Sequence, residues 1–293
     1  MLKQASQDSE STRVPGVIST ILVLAAALLF ASAPGALADA STTSANWAGY
    51  AVHRAGVSFR KISASWRQPG ASCAPGSPAY SAFWVGLGGY SQEAEALEQI
   101  GTETDCRADG TPTLSAWYEL VPDPSTTIRL PVAAGDQISA SVAVDGRQVT
   151  LSLQDTTRHR GFLRTLRASV IDVSSAEWIV EAPSECITVT ACQTLPLADF
   201  GTAVFTSARA VGVRGHAGSI ASRRWSATKI KLTPGGRRFV ANQGDRSSGG
   251  SASPSALEAG GTAFTVTFSR VASGNPFTTP RATGSWPSGR LYH

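Results

Sequence analysis

The chain is poor in the residues on which much enzyme chemistry rests. Among 293 residues there are four histidines, four cysteines and one methionine. His53, His159, His216 and His293 are scattered, none in an H-E-x-x-H pattern and none beside a cysteine or carboxylate at metal-ligand spacing. That excludes the common zinc-hydrolase motifs and leaves no metal site to assign. No G-x-S-x-G nucleophile elbow occurs. Gly86-Leu-Gly-Gly89 has neither a lysine nor a helix to follow it, so no phosphate-cradling loop is read and no cofactor is expected. Charged residues make up only 16% of the chain. Beyond residue 38 no amphipathic helix longer than about two turns can be drawn.

Long apolar runs are confined to one place. Val17–Phe30 follows a polar leader carrying Lys3 and Arg13, and Ala36-Leu37-Ala38 gives a small-x-small signature before Asp39. This order is that of a secretory signal peptide over residues 1–38. The run of fourteen residues is shorter than the roughly 20 a membrane span needs. The expected product is a secreted, extracellular protein with no membrane attachment after cleavage. Its four cysteines then suggest two disulfides. Three pairings are open; we take Cys186–Cys192 for the short loop and Cys73–Cys106 for the longer one.

The net charge is +4 with a pI near 9.0. From Arg209 onward twelve Arg or Lys residues face only Asp245 and Glu258. These cations are scattered among Gly and Ser, without the aromatic stacking pattern of strand-binding modules. A solvated basic surface is expected, with no nucleic-acid partner, on a monomer.

What the sequence does have is short alternating runs broken by Gly, Pro, Asp or Asn. Ile138, Ala140, Val142 and Val144 alternate with small or polar residues up to Asp145-Gly146, after which Val149, Leu151 and Leu153 alternate again. An Asp-Gly loop would pair Val144 with Arg147, Val142 with Val149 and Ala140 with Leu151, placing the apolar residues on one face. Residues 200–206 and 263–268 read as further strands. The fold class is all-β, an antiparallel β-sandwich of two large sheets of the concanavalin-like or jelly-roll kind. The domain is placed at 39–269, residues 244–261 are read as a Gly/Ser-rich loop, and 270–293 as a flexible C-terminal tail.

Aromatic, acidic and amide residues recur on these expected strands. They lie in Asn46-Trp-Ala-Gly-Tyr-Ala-Val52, Phe83-Trp-Val-Gly86, Leu97-Glu-Gln-Ile-Gly-Thr-Glu103, Leu114-Ser-Ala-Trp-Tyr-Glu-Leu120 and Ser175-Ala-Glu-Trp-Ile-Val-Glu181. Alternation puts Glu177 and Glu181 on one face of their strand. In this order the five segments resemble the glutamic peptidases, the eqolisin family of secreted acid proteases. The similarity spans Ser44–Thr206 and extends to Phe268.

The resemblance implies a two-sheet sandwich and a polypeptide substrate. It further implies a catalytic dyad at Gln99 and Glu181, a supporting tryptophan at Trp84 and a supporting glutamate at Glu119. Trp117 and Glu177 are the remaining supporting or substrate-binding candidates, with solvation the default for Glu177. Glu119 is expected to hold water or to tune Glu181 through like charge. Two positions depart from the fungal pattern. Gly88 and Ser115 stand where those relatives carry aspartate, so a less extreme acid optimum is expected here. The competing readings are a secreted glycosidase using Glu119 and Glu181 as its carboxylate pair, and a carbohydrate- or cell-wall-binding module without proteolytic activity.

Overall fold

The computed structural model describes residues 40–188, 191–237, 239, 249–271 and 290–292. The first strands are β1 (Ala40–Ser44), β2 (Trp47–His53), β3 (Phe59–Arg67), β4 (Ala79–Gly88), β5 (Leu97–Cys106), β6 (Pro112–Val121) and β7 (Thr126–Ile128). Next come β8 (Gln137–Asp145), β9 (Gln148–Asp155), β10 (Arg160–Arg167), β11 (Ser175–Glu181), β12 (Ser184–Thr188) and β13 (Ala191–Thr194). The series closes with β14 (Thr202–Gly212), β15 (Ala217–Gly218), β16 (Ser226–Leu232), β17 (Gly250–Pro254), β18 (Phe264–Arg270) and β19 (Arg290–Tyr292). Among the described residues the single helical turn is the 3-10 segment Ala259–Gly261.

The sandwich is built from one continuous path. Its order is β10-β9-β8-β3-β14-β18-β17-β16-β2-β11-β4-β5-β6-β7, with β1 added on β16 and β15 on β14. The path folds back so that β3 and β8 pack over β4 and β5. The layers are stitched by side chains: Trp178 Nε1 on β11 donates to Ser63 O on β3 at 3.0 Å. Trp66 Nε1 on β3 donates to Thr102 Oγ1 on β5 at 3.0 Å. The expected two large sheets are thus two limbs of one hydrogen-bonded sheet. A separate three-stranded sheet runs β13-β12-β19.

Strand alternation divides the residues between two faces. Phe83, Val85 and Leu87 of β4, and Ala176, Trp178 and Val180 of β11, enter the core between the limbs with Ile62, Ile100, Val142 and Leu151. Each such large side chain contributes about 1.5–3 kcal/mol through burial. The alternate residues, Trp84 and Ile179 among them, build a second apolar cluster on the opposite face with Trp47, Trp117 and Phe239.

Two expectations need correction. The hairpin turn is Gly146-Arg147, so Val144 pairs with Val149, Val142 with Leu151 and Ala140 with Leu153. Gly146 at φ 59° takes the first loop position, where the tight right-twisting turn requires glycine. The offset is two residues, an even number, so every apolar side chain keeps its face. The expected loop at 244–261 contains β17, which pairs with β18. Its small residues are required by packing, since a Cβ on Gly250 would stand 2.7 Å from Phe268.

Residues 290–292 form a strand on β12; the rest of the expected tail and the expected signal peptide lie largely outside the described residues. The disulfides are Cys73–Cys106 and Cys186–Cys192, as the spacing suggested.

The Trp66 contact tests the stitched architecture. Trp66→Phe keeps an aromatic side chain but loses the indole N–H that donates to Thr102, leaving buried polar groups under-satisfied and a small void. Urea unfolding should show a loss of about 1–3 kcal/mol with an unchanged m-value. A neutral result would show that the layers do not depend on this bond.

Candidate active site

The face opposite the core carries the site, and the register fixes its layout. From β2 to β6 one cross-strand row reads Ala51, Glu177, Gly86, Gln99, Glu119. The next reads Gly49, Ile179, Trp84, Gly101, Trp117, and the third Trp47, Glu181, Ala82, Glu103, Ser115. Gln99 and Glu181 therefore share a face, with Trp84 on the strand between them. Their offset of two strands and four residues corresponds to roughly 16 Å between Cα atoms.

Glu181 is fully buried and held at both oxygens. Asn46 Nδ2 donates to Oε1 and Trp84 Nε1 to Oε2, each at 2.7 Å. Burial pushes this carboxyl up to about 8, while the side chains of Trp84, Trp47 and Asn46 pull it the other way. Asn46 is itself oriented by Ser44, whose Oγ donates to Asn46 Oδ1 at 3.1 Å. Asn46 had no assigned role from sequence, although it opens the motif that contains Trp47. Trp84 can lie across the sheet because the next residue in its row is Gly101. A Cβ there would stand 2.3 Å from Phe83 O and 2.6 Å from Trp84 Cβ.

Gln99 is also fully buried, and its Nε2 donates to Glu119 Oε2 at 2.7 Å. Glu119 thus orients the glutamine. Glu181, which it was expected to tune through like charge, lies three strands away. Trp117 packs in the apolar cluster beside Trp84. Aromatic rings continue across this face: Trp47 meets Trp84 edge-on at 5.0 Å and stacks on Phe239 at 5.2 Å. Phe239 in turn stacks on Tyr90 at 4.9 Å, and Tyr90 on His53 at 4.5 Å. Nothing in the local sequence around Phe239 or Tyr90 marks them for this place.

The two departures from the fungal pattern have structural counterparts. Ser115 Oγ donates to Glu103 Oε1, so the serine supports a carboxyl instead of adding one. Gly88 adopts φ +86°, and a Cβ on it would stand 2.6 Å from Asp172 Cβ. Asp172 occupies that space, with Oδ2 accepting from Gly89 N at 3.0 Å. The face is therefore not short of acids.

Glu177 is fully buried, against the expectation of solvation, and neither of its carboxyl oxygens has a hydrogen-bond partner among the described residues. Burial raises it well above the ordinary carboxylate range, Ser175 opposes this, and Asp172 and Glu98 add to it. Burial likewise lifts Glu98 to about 9, and burial with the neighbouring Glu103 lifts Asp105 to about 8. Glu103 is raised by burial, opposed by Ser115.

These shifts have one sign. A carboxyl whose folded pKa lies above its unfolded value of about 4.3 binds more protons when folded. Its stabilising effect is complete below that unfolded value and is lost as pH rises toward 8 or 9. Thermal melts should therefore give a Tm lower by roughly 5 °C or more at pH 8 than at pH 4. A Tm that rises over this range would mean the carboxyls are ionised and paired in the fold.

Residues 45–243 match the peptidase A4 family. Aspergillopepsin-2 of Aspergillus niger is 27% identical over 190 residues, covering 57% of this chain and 64% of that protein. The chain thus matches just under two thirds of that relative's length. The crystal structure of scytalido-glutamic peptidase with a transition state analog inhibitor is similar at TM-score 0.59 and 23% identity, covering 76% of this chain and 98% of that one. SCP-B, a member of the eqolisin family in a complex with the tripeptide Ala-Ile-His, gives TM-score 0.56 at 22% identity, with the same two coverages. At these identities the structural likeness establishes the β-sandwich fold.

Proposed function

Because the chain belongs to the peptidase A4 family, we propose that it is a secreted glutamic endopeptidase in which Gln99 and Glu181 perform the chemistry. The observation that carries this reading is the pair of held side chains on one sheet face. Glu181 has a donor on each oxygen, and Gln99 is oriented by Glu119.

In this reading a peptide lies across Trp84 with its scissile carbonyl between the dyad residues. Glu181 as carboxylate takes a proton from a water, and the resulting hydroxide attacks the carbonyl carbon. Charge collects on the former carbonyl oxygen, to which the Gln99 amide donates. Glu181 then passes the proton to the departing amine as the C–N bond breaks, regenerating the carboxylate. Asn46 and Trp84 hold the carboxylate in one orientation throughout, so no solvent reorganisation is needed as charge develops. A neutral amide suits position 99, since a carboxylate there would be repulsive when ionised and variable in charge across the acid range.

The pH dependence follows from the same groups. Burial favours the protonated form of Glu181, so the base form is scarce at low pH and the rate climbs as pH rises. A water and a polar peptide backbone entering the site relieve part of that desolvation and lower the pKa. A weakly acid optimum results, above that expected of fungal members. The glycosidase reading loses support because Glu119 is engaged with Gln99 and sits three strands from Glu181.

Casein or peptide hydrolysis checks each role. Gln99→Ala should lower kcat about 100- to 1000-fold, and Glu181→Gln by at least as much, with both proteins still folded by circular dichroism. Full activity in either variant would remove that residue from the mechanism. A pH–rate profile of the parent should peak in the weakly acid range; a maximum near about pH 2 would contradict the burial argument.

A further inference from the structure

Three turns converge at one end of the sandwich, and the register brings them together. The β2–β3 turn carries Arg54 and Val57. Val213 N in the β14–β15 turn donates to Ser58 O at 2.8 Å. Ser226 of β16 pairs with His53, which sets Arg224 and Trp225 alongside Arg54. Arg54 Nη1 donates to the carbonyl oxygens of Arg223 and Arg224 at 3.5 and 3.2 Å. Between these turns lies a cleft of about 470 Å³, lined by Arg54, Arg214, Arg224, His216 and the apolar Val57 and Val213.

The cleft has one sign of charge. No Asp or Glu lines it, and among the described residues none of its three arginines enters a salt bridge. Val213 is 58% exposed in its midst, and Trp225 backs the floor, meeting Phe59 edge-on at 5.4 Å. Guanidinium groups around an exposed apolar patch suit an anionic ligand with an aliphatic or peptide body. The place matters as well. Ala51 stands in the row that runs through Glu177 to Gln99, and Arg54 follows it by three residues, roughly 10 Å along the strand.

We propose that this cleft is an exosite for an acidic stretch of the polypeptide substrate, seated a few residues away from the bond being cut. The proposal rests on the peptidase reading for the word substrate, but the binding itself does not. Asp and Glu side chains of a flexible substrate ionise near about 3.9 and 4.3, so the exosite engages in the weakly acid range and releases below it. Its contribution is uniform binding, expressed in KM and not in kcat. The charges are exposed, so the attraction is screened by salt.

Two measurements decide it. A fluorescein-labelled oligo-glutamate peptide, titrated into the Glu181→Gln protein at pH 6 and low salt, reports binding by anisotropy without any need for cleavage. Binding should weaken about tenfold when Arg214→Ala and Arg224→Ala are added, and should vanish in 0.5 M NaCl as surface pairs do. Neither arginine donates a side-chain hydrogen bond among the described residues, so the variant should melt as the parent does. In the active enzyme, a four-glutamate extension on a cleavable peptide should lower KM about tenfold at constant kcat. That advantage should be absent in the double variant, which still cuts the unextended peptide normally. Equal binding by parent and double variant would overturn the exosite, as would capture of anionic phospholipid vesicles but not of the peptide. If neither peptide is cut while the labelled peptide binds as described, the peptidase reading fails and the binding site stands.

Discussion

A carboxyl group withdrawn from water on the face of a sheet must either keep its proton or be met by donors. The architecture around Glu181 follows from that requirement. The strand bearing it, β11, sits between β2 and β4, so donors can reach it from both sides. On one side Asn46 precedes β2 and is turned inward by Ser44. On the other, Trp84 lies across β4 with its N–H on the second oxygen. That posture needs the bare backbone of Gly101 in the neighbouring strand. One carboxyl therefore explains an asparagine, a serine, a tryptophan and a glycine that are dispersed through the sequence.

The same strands serve the core and the site. Phe83 and Val85 fill the space between the limbs, while Trp84 between them lies on the opposite face and donates to Glu181. A change of volume in the core is thus transmitted within one residue to the face that carries Glu181, because close-packed interiors yield little. This makes the face a rigid platform. Gln99 lies between Glu98 and Ile100 on its strand and is further tied to Glu119. Rigidity of this kind suits a mechanism whose catalytic power comes from fixed dipoles and not from motion.

Much of this was legible in the sequence because strand alternation has a period of two and needs no tertiary knowledge. The faces of β8, β9 and β11 follow from it, and an even error in hairpin register leaves them intact. The grouping of Gln99 with Glu181 came from resemblance to a family, and the register then placed both on one face. Other features were out of reach for physical reasons. β17 is made of Gly, Ser, Ala and Pro, whose local preference is for loops, and it becomes a strand through its pairing with β18, where Gly250 leaves room for Phe268. Glu177 reads as a wet residue by composition, yet the rows around it bury it. Asp172 fills the space beside Gly88 through a contact between distant segments that no local pattern encodes.

Net charge conceals the arrangement that matters. The chain is basic as a whole, but the face of the candidate site gathers Glu103, Glu119, Glu177 and Glu181 with no Lys or Arg in its three rows. Burial keeps Glu177, Glu103 and Glu181 inclined to the neutral form, so this face is less negative than its formula suggests. A substrate rich in acidic side chains would still meet repulsion there once those groups ionise. In the proposed reading, the arginines of the cleft between the turns offset that repulsion away from Glu181, where water screens them. None of them figures among the groups that shift its pKa. In that reading, separating the two signs of charge along the sheet allows substrate attraction and proton transfer to be set independently of each other.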